Sequence, residues 1–253
     1  MKIFLLLILA SISSTLNAKP YCISHRGVTE NSIENSMSSI QNAINVGSDG
    51  VEFDIHHTKD GHAILMHDED LVRVAKSRDG RKCPVTSLVK DLRLREIQNN
   101  CVLKNGEEIA TLEEALQYLE TRDLYTFLEL KDSPNTRSIQ LIEEYNRQKP
   151  ELLRVISFES KALRVLKKLR QISDFWRDVE LMRVYKFLPF SFSDYGVDIY
   201  YKTRFMAWLP RLFGKELGVW TVDEDKDLRR VIKRKIKFIT TNRVERCMEL
   251  KEN

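Results

Sequence analysis

The sequence predicts an α/β fold, a (β/α)8 or TIM barrel, from three observations. Strand-like and helix-like segments alternate about eight times along the chain, which is typical of a parallel sheet covered by helices. After an amino-terminal leader of 18 residues, 235 residues remain, the usual length of one such barrel. No Gly/Ser/Pro-rich linker and no internal repeat interrupts them, which favours one domain over two.

The leader has the pattern of a secretory signal peptide: a basic start, an apolar run from Ile3 to Ala10 and a small polar stretch to Ala18. We expect a signal peptide over residues 1–18 and the barrel domain over 19–253. The apolar run is shorter than the ~20 residues of a membrane span, which disfavours an uncleaved anchor. We expect export across the inner membrane, most simply to a bacterial periplasm. The formal charge of +4 does not call for nucleic acid.

The strands of the predicted barrel are apolar runs bounded by turn residues, and they come in chain order. They are Tyr21 to His25, Gly50 to His57, Leu124 to Leu130, Arg154 to Phe158, Val179 to Val184, Val197 to Tyr201, Leu217 to Val222 and Ile236 to Thr241. Asp60-Gly61 predicts a hairpin turn from the second of these into a partner strand at Ala63 to His67. The polar segment from Arg73 to Gly106 yields no assignment.

The predicted helices carry apolar residues at helical spacing between these strands. The first contains Ile33 to Ile44, and the next begins at the capping box that Thr111 and Glu114 form. Two more predicted helices follow Ser160 and Asp223, which we expect to be their amino-terminal caps. The basic run from Arg229 to Lys237 is interpreted as one solvated helix face rather than a nucleic-acid site.

Four cysteines in an exported protein allow three pairings. Cys83 and Cys101 share one polar stretch and could cross-link it. Cys22 on the first strand and Cys247 near the last helix adjoin if the barrel closes. Buried free thiols are the alternative, and the sequence favours neither reading.

Two acids lie in the middle of the second predicted strand. Glu52 and Asp54 are two residues apart, so both carboxylates point to one face. Glu129 and Lys131 end the next barrel strand in the same way. Burying like charges together is costly unless a cation lies between them. Oxygen ligands alone favour one divalent cation, Mg²⁺ or Ca²⁺; the alternative is a salt-bridge cluster of these acids with Arg26 and Lys131.

Two histidines also lie at predicted strand ends, where barrel enzymes carry their reacting groups. His25 and His67 are candidates for general base and general acid, because imidazole titrates near neutral pH. Arg26 and Lys131 could hold an anion, most naturally a phosphate. His56 and His57 are assigned to hairpin structure or to a substrate contact.

These residues stand in motifs that resemble, in order, those of the glycerophosphodiester phosphodiesterase family. The motifs are H-R-G at His25, E-N-S at Glu34, E-F-D at Glu52, T-K-D-G at Thr58, H-D at His67, T-L-E-E-A-L at Thr111, E-L-K at Glu129, I-S-F at Ile156 and V-W-T-V at Val219. The sequence departs from the family pattern at Ile33, where proline is usual, at Ser36, where threonine is usual, and at Asn242, where aspartate is usual. None of these departures removes a proposed catalytic group.

The resemblance implies a metal-dependent phosphodiesterase on a (β/α)8 barrel. It implies that His25 and His67 act as the acid and base and that Glu52, Asp54 and Glu129 bind the metal. It assigns the phosphate and substrate contacts to Arg26, Lys131, Glu34 and Trp220. The implied reaction hydrolyses a small-molecule glycerophosphodiester to glycerol 3-phosphate and an alcohol.

Two alternative functions remain open on the sequence. One is a lysophospholipase D-like enzyme. The aromatic segments 186–192 and 205–213 could form an acyl pocket or contact a membrane surface in such an enzyme. Packing of a barrel helix is the plainer explanation of these aromatics. A catalytically inactive, phosphodiester-binding barrel is the second alternative, although the intact His25 and His67 argue against it.

Overall fold

The computed structural model describes residues 19–28, 32–187, 195–206, 210 and 213–252. Its strands are β1 (Tyr21–Ser24), β2 (Gly50–His57), β3 (Ala63–Leu65), β4 (Ala75–Ser77), β5 (Cys101–Leu103), β6 (Tyr125–Leu130), β7 (Leu153–Ser157), β8 (Glu180–Tyr185), β9 (Gly196–Tyr200), β10 (Leu217–Trp220) and β11 (Phe238–Thr241). Eight of these described strands run parallel in the order β1-β2-β6-β7-β8-β9-β10-β11. Pairing of β1 with both β2 and β11 closes the sheet, which confirms the predicted barrel.

The helices in the described part of the chain pack mainly outside this barrel. They are α1 (Met37–Asn45), α2 (Leu94–Asn100), α3 (Leu112–Leu119), α4 (Thr136–Asn146), α5 (Ser160–Leu169), α6 (Asp174–Asp178), α7 (Asp225–Lys233) and α8 (Val244–Glu252). Their apolar faces form two main layers against the strands, one over the β2-to-β8 side and one over β9 to β1. Within the described residues, no helix is both long and apolar enough to cross a membrane.

The interior of the barrel is filled at the amino-terminal ends of its strands. The rings of Tyr21, Tyr125, Phe127 and Phe238 pack with centroids 4.6–5.6 Å apart. Below them, Arg154 Nε donates to Glu216 Oε2 at 2.6 Å. This packing fills the amino-terminal end of the barrel, and a cavity lies toward the carboxyl ends of the strands, which is where barrel enzymes place their sites.

The chain between β2 and α3 adds a lobe that the sequence did not assign. Strand β3 pairs antiparallel with β2 as the hairpin prediction required, and β4 pairs antiparallel with β5. Helix α2 and these strands enclose a separate apolar cluster. Strands β4 and β5 are short and lie some 25 residues apart in a polar part of the chain. Local sequence patterns give little indication of such a pairing.

Both candidate disulfides are present. Cys83–Cys101 ties the lobe together, and Cys22–Cys247 joins β1 to α8 with Cα atoms 6.0 Å apart. The free-thiol alternative is therefore wrong, because the barrel closure brings the first strand against the last helix.

Two of the predicted helix caps are wrong, and one is confirmed. The N-cap of α5 is Glu159 and that of α7 is Glu224, one residue from each prediction. Asp223 does not cap because its carboxylate bonds Asn242 and Thr241 instead. The capping box at Thr111 forms as predicted, with the Glu114 backbone N–H donating to Thr111 Oγ1 at 3.2 Å. Residues 1–18, where the sequence predicts a signal peptide, and most of the two aromatic segments lie outside the described residues.

Candidate active site

Three buried carboxylates form a cluster at the carboxyl ends of β2 and β6. Glu52 and Asp54 share one face of β2, and the register places Asp54 directly beside Glu129 of β6. One oxygen from each of the three lies within 4.8 Å of the others. All three side chains are buried, so the acids that the sequence singled out do meet.

The positive charges beside the carboxylate cluster do not offset its three acids. Burial raises the pKa of Glu52 well above its usual range, and the charges of Asp54 and Glu129 raise it further. Burial and the charge of Asp54 raise the pKa of Glu129 to about 7. For Asp54, burial is outweighed by the neighbouring cations Lys131 and Arg26, which lower its pKa. Three acids that resist ionising together favour a cation between them.

A divalent cation fits this donor set. Glu52 Oε1 is buried with no hydrogen-bond partner, an arrangement that costs free energy unless another group binds the oxygen. Oxygens that share one Ca²⁺ ion at about 2.3–2.6 Å lie up to about 5 Å apart. The three carboxylates could therefore hold one ion, and their oxygen-only chemistry suits Mg²⁺ or Ca²⁺.

Two cations flank the cluster, as the sequence predicted. Lys131 Nζ lies 2.7 Å from Glu129 Oε1 and 2.9 Å from Asp54 Oδ1. Arg26 has a left-handed backbone, φ 55°, and its backbone N–H donates to Glu52 Oε2 at 2.8 Å. The next residue is glycine for a steric reason, because a Cβ on Gly27 would lie 2.6 Å from Ser39 Oγ. These ion pairs leave Glu52 Oε1 unpaired, so the salt-bridge alternative does not satisfy the cluster.

Two residues of the E-N-S motif, Glu34 and Asn35, bond to side chains at the carboxylate cluster. Glu34 accepts from Arg26 Nη1 at 2.9 Å and is not among the three clustered acids. Asn35 both donates to Asp54 Oδ2 at 2.9 Å and accepts from the Asp54 backbone N–H at 3.0 Å. The sequence analysis did not identify Asn35, although its position inside the motif was the available signal.

His25 is oriented by an amide and a carboxylate that follow later strands. Its Nδ1 lies 2.8 Å from Asn242 Oδ1. Asn242 Nδ2 donates to Asp223 Oδ2 at 2.8 Å, which identifies Oδ1 as the atom facing the histidine. Because that oxygen only accepts, His25 Nδ1 carries the proton and Nε2 is left free as a base. Burial and the charge of Arg26 lower the pKa of His25 to about 4.

His67 is held by a charged pair instead. Its Nδ1 lies 2.7 Å from Asp68 Oδ1, and Arg73 Nε donates to Asp68 Oδ2 at 2.6 Å. The bond from Arg73 lowers the pKa of Asp68 to about 2. Burial lowers the pKa of His67, and the charge of Asp54 and the bond to Asp68 offset part of this effect.

Arg73 is a second residue of the site that the sequence did not single out. Its guanidinium also donates to Glu34 at 2.6 and 2.7 Å. It therefore links the partner of His67 to the partner of Arg26. It lies in the unassigned polar segment, where one arginine five residues after Asp68 is too weak a signal.

His56 and His57 serve the hairpin. His57 Nδ1 bonds Asp132 Oδ1, and the His57 backbone N–H donates to Asp132 Oδ2 at 3.0 Å. His56 Nε2 lies 3.3 Å from the carbonyl oxygen of His67. Of the two roles that the sequence left open, the structure favours the hairpin role.

The site opens into a cavity of about 90 Å³ within the carboxyl half of the barrel. His25, Glu52, His67 and Lys131 line one side, and Asp198 and Trp220 line another. The Trp220 ring packs against Phe158 and Tyr200 with centroids 5.4 and 5.6 Å away. The predicted substrate residue Trp220 thus forms an aromatic wall of the same cavity.

The chain is similar to known proteins over most of its length. The model of the glycerophosphoryl diester phosphodiesterase family matches residues 25–246. A glycerophosphodiester phosphodiesterase of Caldanaerobacter subterraneus subsp. tengcongensis is 28% identical over 261 residues, which covers 92% of this chain and 98% of that protein. Human glycerophosphodiester phosphodiesterase 1 is 30% identical over 177 residues, which covers 69% of this chain and 51% of the human protein.

Two solved structures share the fold. A glycerophosphodiester phosphodiesterase from Parabacteroides distasonis superposes with a TM-score of 0.72 at 24% identity, covering 92% of this chain and 97% of that one. An Oleispira antarctica phosphodiesterase in complex with its product sn-glycerol-3-phosphate superposes with a TM-score of 0.75 at 19% identity, covering 94% and 99%. The chain therefore belongs to the glycerophosphoryl diester phosphodiesterase family, a family of hydrolases.

Proposed function

We propose that this protein hydrolyses glycerophosphodiesters to glycerol 3-phosphate and an alcohol, with His25 as general base and His67 as general acid. The observation that carries this proposal is a cavity lined by the two histidines, the two cations and two acids of the carboxylate cluster, Glu52 and Glu129. Family membership supports the same substrate class.

His25 suits the role of base. Its Nδ1–H is committed to Asn242, so Nε2 is the atom that accepts the proton of the attacking hydroxyl. That hydroxyl belongs either to water or to the glycerol of the substrate. A pKa of about 4 keeps the imidazole unprotonated at neutral pH.

His67 suits the role of acid. The carboxylate of Asp68 at 2.7 Å stabilises the imidazolium form, and the anionic phosphodiester adds a second negative charge when it binds. As the P–O bond to the leaving alcohol breaks, His67 donates its Nε2 proton to that oxygen. When water is the attacking group, this step yields glycerol 3-phosphate and the free alcohol. When the glycerol hydroxyl attacks, it yields a cyclic phosphate and the free alcohol, and water then opens the cyclic phosphate to glycerol 3-phosphate.

Arg26 and Lys131 are placed to bind the phosphate oxygens. Both line the cavity beside the carboxylate cluster, and Glu34 fixes the guanidinium of Arg26 at 2.9 Å. A divalent ion held by Glu52, Asp54 and Glu129 would supply charge stabilisation of the phosphate. We propose Mg²⁺ or Ca²⁺ for this position.

The test measures glycerol 3-phosphate release from glycerophosphocholine by the purified protein with Ca²⁺, Mg²⁺ or EDTA. His67→Ala is the active-site variant. His62→Ala is its matched control, because His62 lies in the same hairpin but outside the cavity. We expect EDTA and His67→Ala to abolish turnover and His62→Ala to preserve it. A folded, ion-loaded parent that turns over no glycerophosphodiester would refute the proposal.

A lysophospholipid is the second candidate substrate. Phe187, two residues after the carboxyl end of β8, is 78% exposed, and a large apolar side chain at that end of the barrel could contact acyl chains. Phe213 is 62% exposed but precedes the amino end of β10, so it supports no shared surface. Offering lysophosphatidylcholine beside glycerophosphocholine tests this candidate, and faster turnover of the lipid that Phe187→Ser abolishes would favour it.

We also propose that the protein is exported and that residues 1–18 are removed. The two disulfides support this proposal, because such bonds persist in oxidising compartments. Amino-terminal sequencing of protein from the periplasmic fraction tests it, and we expect a chain that begins at Lys19. Recovery of the whole chain, reduced, from the cytoplasmic fraction would contradict it.

A further inference from the structure

One buried acid in the cavity has no place in the chemistry described above. Asp198 lies in the middle of β9, and its side chain is 2% exposed. Its Oδ1 has no hydrogen-bond partner. A buried carboxyl without a partner costs free energy, and an apolar residue would serve packing better at this position. The position therefore indicates a ligand.

The neighbouring strands leave room for this carboxyl group. On one side Asp198 is in register with Val184 of β8. On the other side it faces Gly218 of β10, where a Cβ would lie 2.7 Å from Asp198 Oδ1. A side chain at position 218 would displace the carboxyl, so the glycine allows Asp198 to occupy the cavity wall.

Asp198 lies across the barrel from the carboxylate cluster. In the closed sheet, β9 is four strands from β2 in either direction, and β2 carries Glu52 and Asp54. The cavity spans the space between them, because both Glu52 and Asp198 line it. Asp198 is not one of the three clustered acids. A phosphate held beside Arg26 and Lys131 therefore directs the rest of a bound substrate toward β9.

The state of the carboxyl group suits a hydroxyl ligand. Burial, with a smaller effect of the charge of Glu129, raises the pKa of Asp198 to about 8. A neutral carboxylic acid both donates and accepts a hydrogen bond, as an alcohol does. Because it is uncharged, it attracts a cation only weakly.

We propose that Asp198 is a specificity residue that binds the terminal hydroxyl of the substrate's glycerol group. This inference rests on the proposed hydrolysis of glycerophosphodiesters. The hydroxyl next to the phosphoester carbon stays near the phosphate, whereas the terminal hydroxyl lies one carbon further away and reaches the opposite strand. Asp198 thereby distinguishes glycerol from alcohols that lack this hydroxyl group.

The test compares two substrates with two variants. Glycerophosphocholine is measured beside 2-hydroxypropyl phosphocholine, which lacks only the terminal hydroxyl and keeps the inner one. Asp198→Val removes the hydrogen bond at similar volume, and Asp198→Asn keeps a donor and an acceptor. We expect the parent to prefer glycerophosphocholine in kcat/KM by about 10- to 100-fold. In Asp198→Val, kcat/KM falls for glycerophosphocholine alone, so the preference for that substrate disappears. Asp198→Asn retains most of the preference.

A structural role predicts different results. It predicts equal losses on both substrates and a lower melting temperature for Asp198→Val. Either equal losses or an unchanged preference overturns the proposal. A parent that hydrolyses neither substrate refutes the proposed function instead. Isothermal titration with glycerol 3-phosphate then still tests Asp198: weaker binding to Asp198→Val supports the hydroxyl contact, and equal binding overturns it.

Discussion

The partner of His25 makes the pH dependence of this protein testable. Asn242 places a neutral amide oxygen 2.8 Å from His25 Nδ1, and the carboxylate of Asp223 lies behind the amide. We expect the double substitution Asp223→Asn with Asn242→Asp to exchange the two groups. Each hydrogen bond is retained, because the amide introduced at position 223 donates to the carboxylate introduced at position 242 and still accepts from the backbone N–H of residue 242.

The exchange puts a carboxylate in direct contact with the imidazole. An opposite charge at this distance raises the pKa of a histidine by about 1–3 units. The parent value is about 4, so we expect about 5–7 in the double variant. Because the neutral imidazole is the base, activity is lost as pH falls through this value. With a variant pKa near 6, turnover at pH 5 falls about tenfold relative to the parent, while at pH 8 it stays within about twofold.

The assay is kcat/KM for glycerophosphocholine from pH 4 to 9 with a saturating divalent ion. Histidine NMR chemical shifts of the parent and the variant report the same pKa directly. The single variant Asp223→Asn is the control, because it changes the carboxylate behind Asn242 without placing a charge beside the His25 ring. An acidic limb that does not move, or that moves to lower pH, would refute the assignment of His25 as base.

Three further outcomes are expected. Arg73→Met removes the guanidinium that holds Asp68 and Glu34. We expect kcat to fall about 10- to 100-fold, with partial rescue by Arg73→Lys. An unchanged kcat would contradict the positioning role. Glu129→Gln should abolish the rise in melting temperature that Ca²⁺ or Mg²⁺ gives the parent, about 5–10 °C at 100 times Kd; an equal rise in the variant would exclude Glu129 as a ligand. Replacing Cys22 and Cys247 by serine should lower the free energy of unfolding by about 2–5 kcal/mol in urea denaturation, because the bond closes a separation of 225 residues; a change below about 1 kcal/mol would show that barrel closure does not depend on it.

The sequence predicted the barrel because strand-like and helix-like segments alternate about eight times over the length of one such domain. It predicted the acid cluster because two charges on one face of such a run are rarely tolerated without a ligand. That argument did not identify Asp198, because this acid between Val197 and Ile199 has no second charge on its face of the strand. The cap prediction at Asp223 failed because a local pattern does not show that Asn242 competes for the carboxylate.

The lobe between β2 and α3 is a part of the fold that local sequence patterns could not predict. Strands of three residues such as β4 and β5 carry little periodicity, and their pairing depends on chain segments some 25 residues apart. Arg73 lies in this lobe, so its contacts with Asp68 and Glu34 depend on how the lobe folds against the barrel.

The sequence by itself determined the fold class, the leader pattern and the identity of the groups at the strand ends, since alternation and spacing along one chain are local properties. Only the tertiary structure decided which of these groups meet. The distance between oxygens of Glu52 and Glu129, the tautomer of His25 set by Asn242, and the position of Asp198 across the cavity all depend on closure of the barrel. Closure joins residues far apart in the chain, and no local pattern encodes the distances and charges that result.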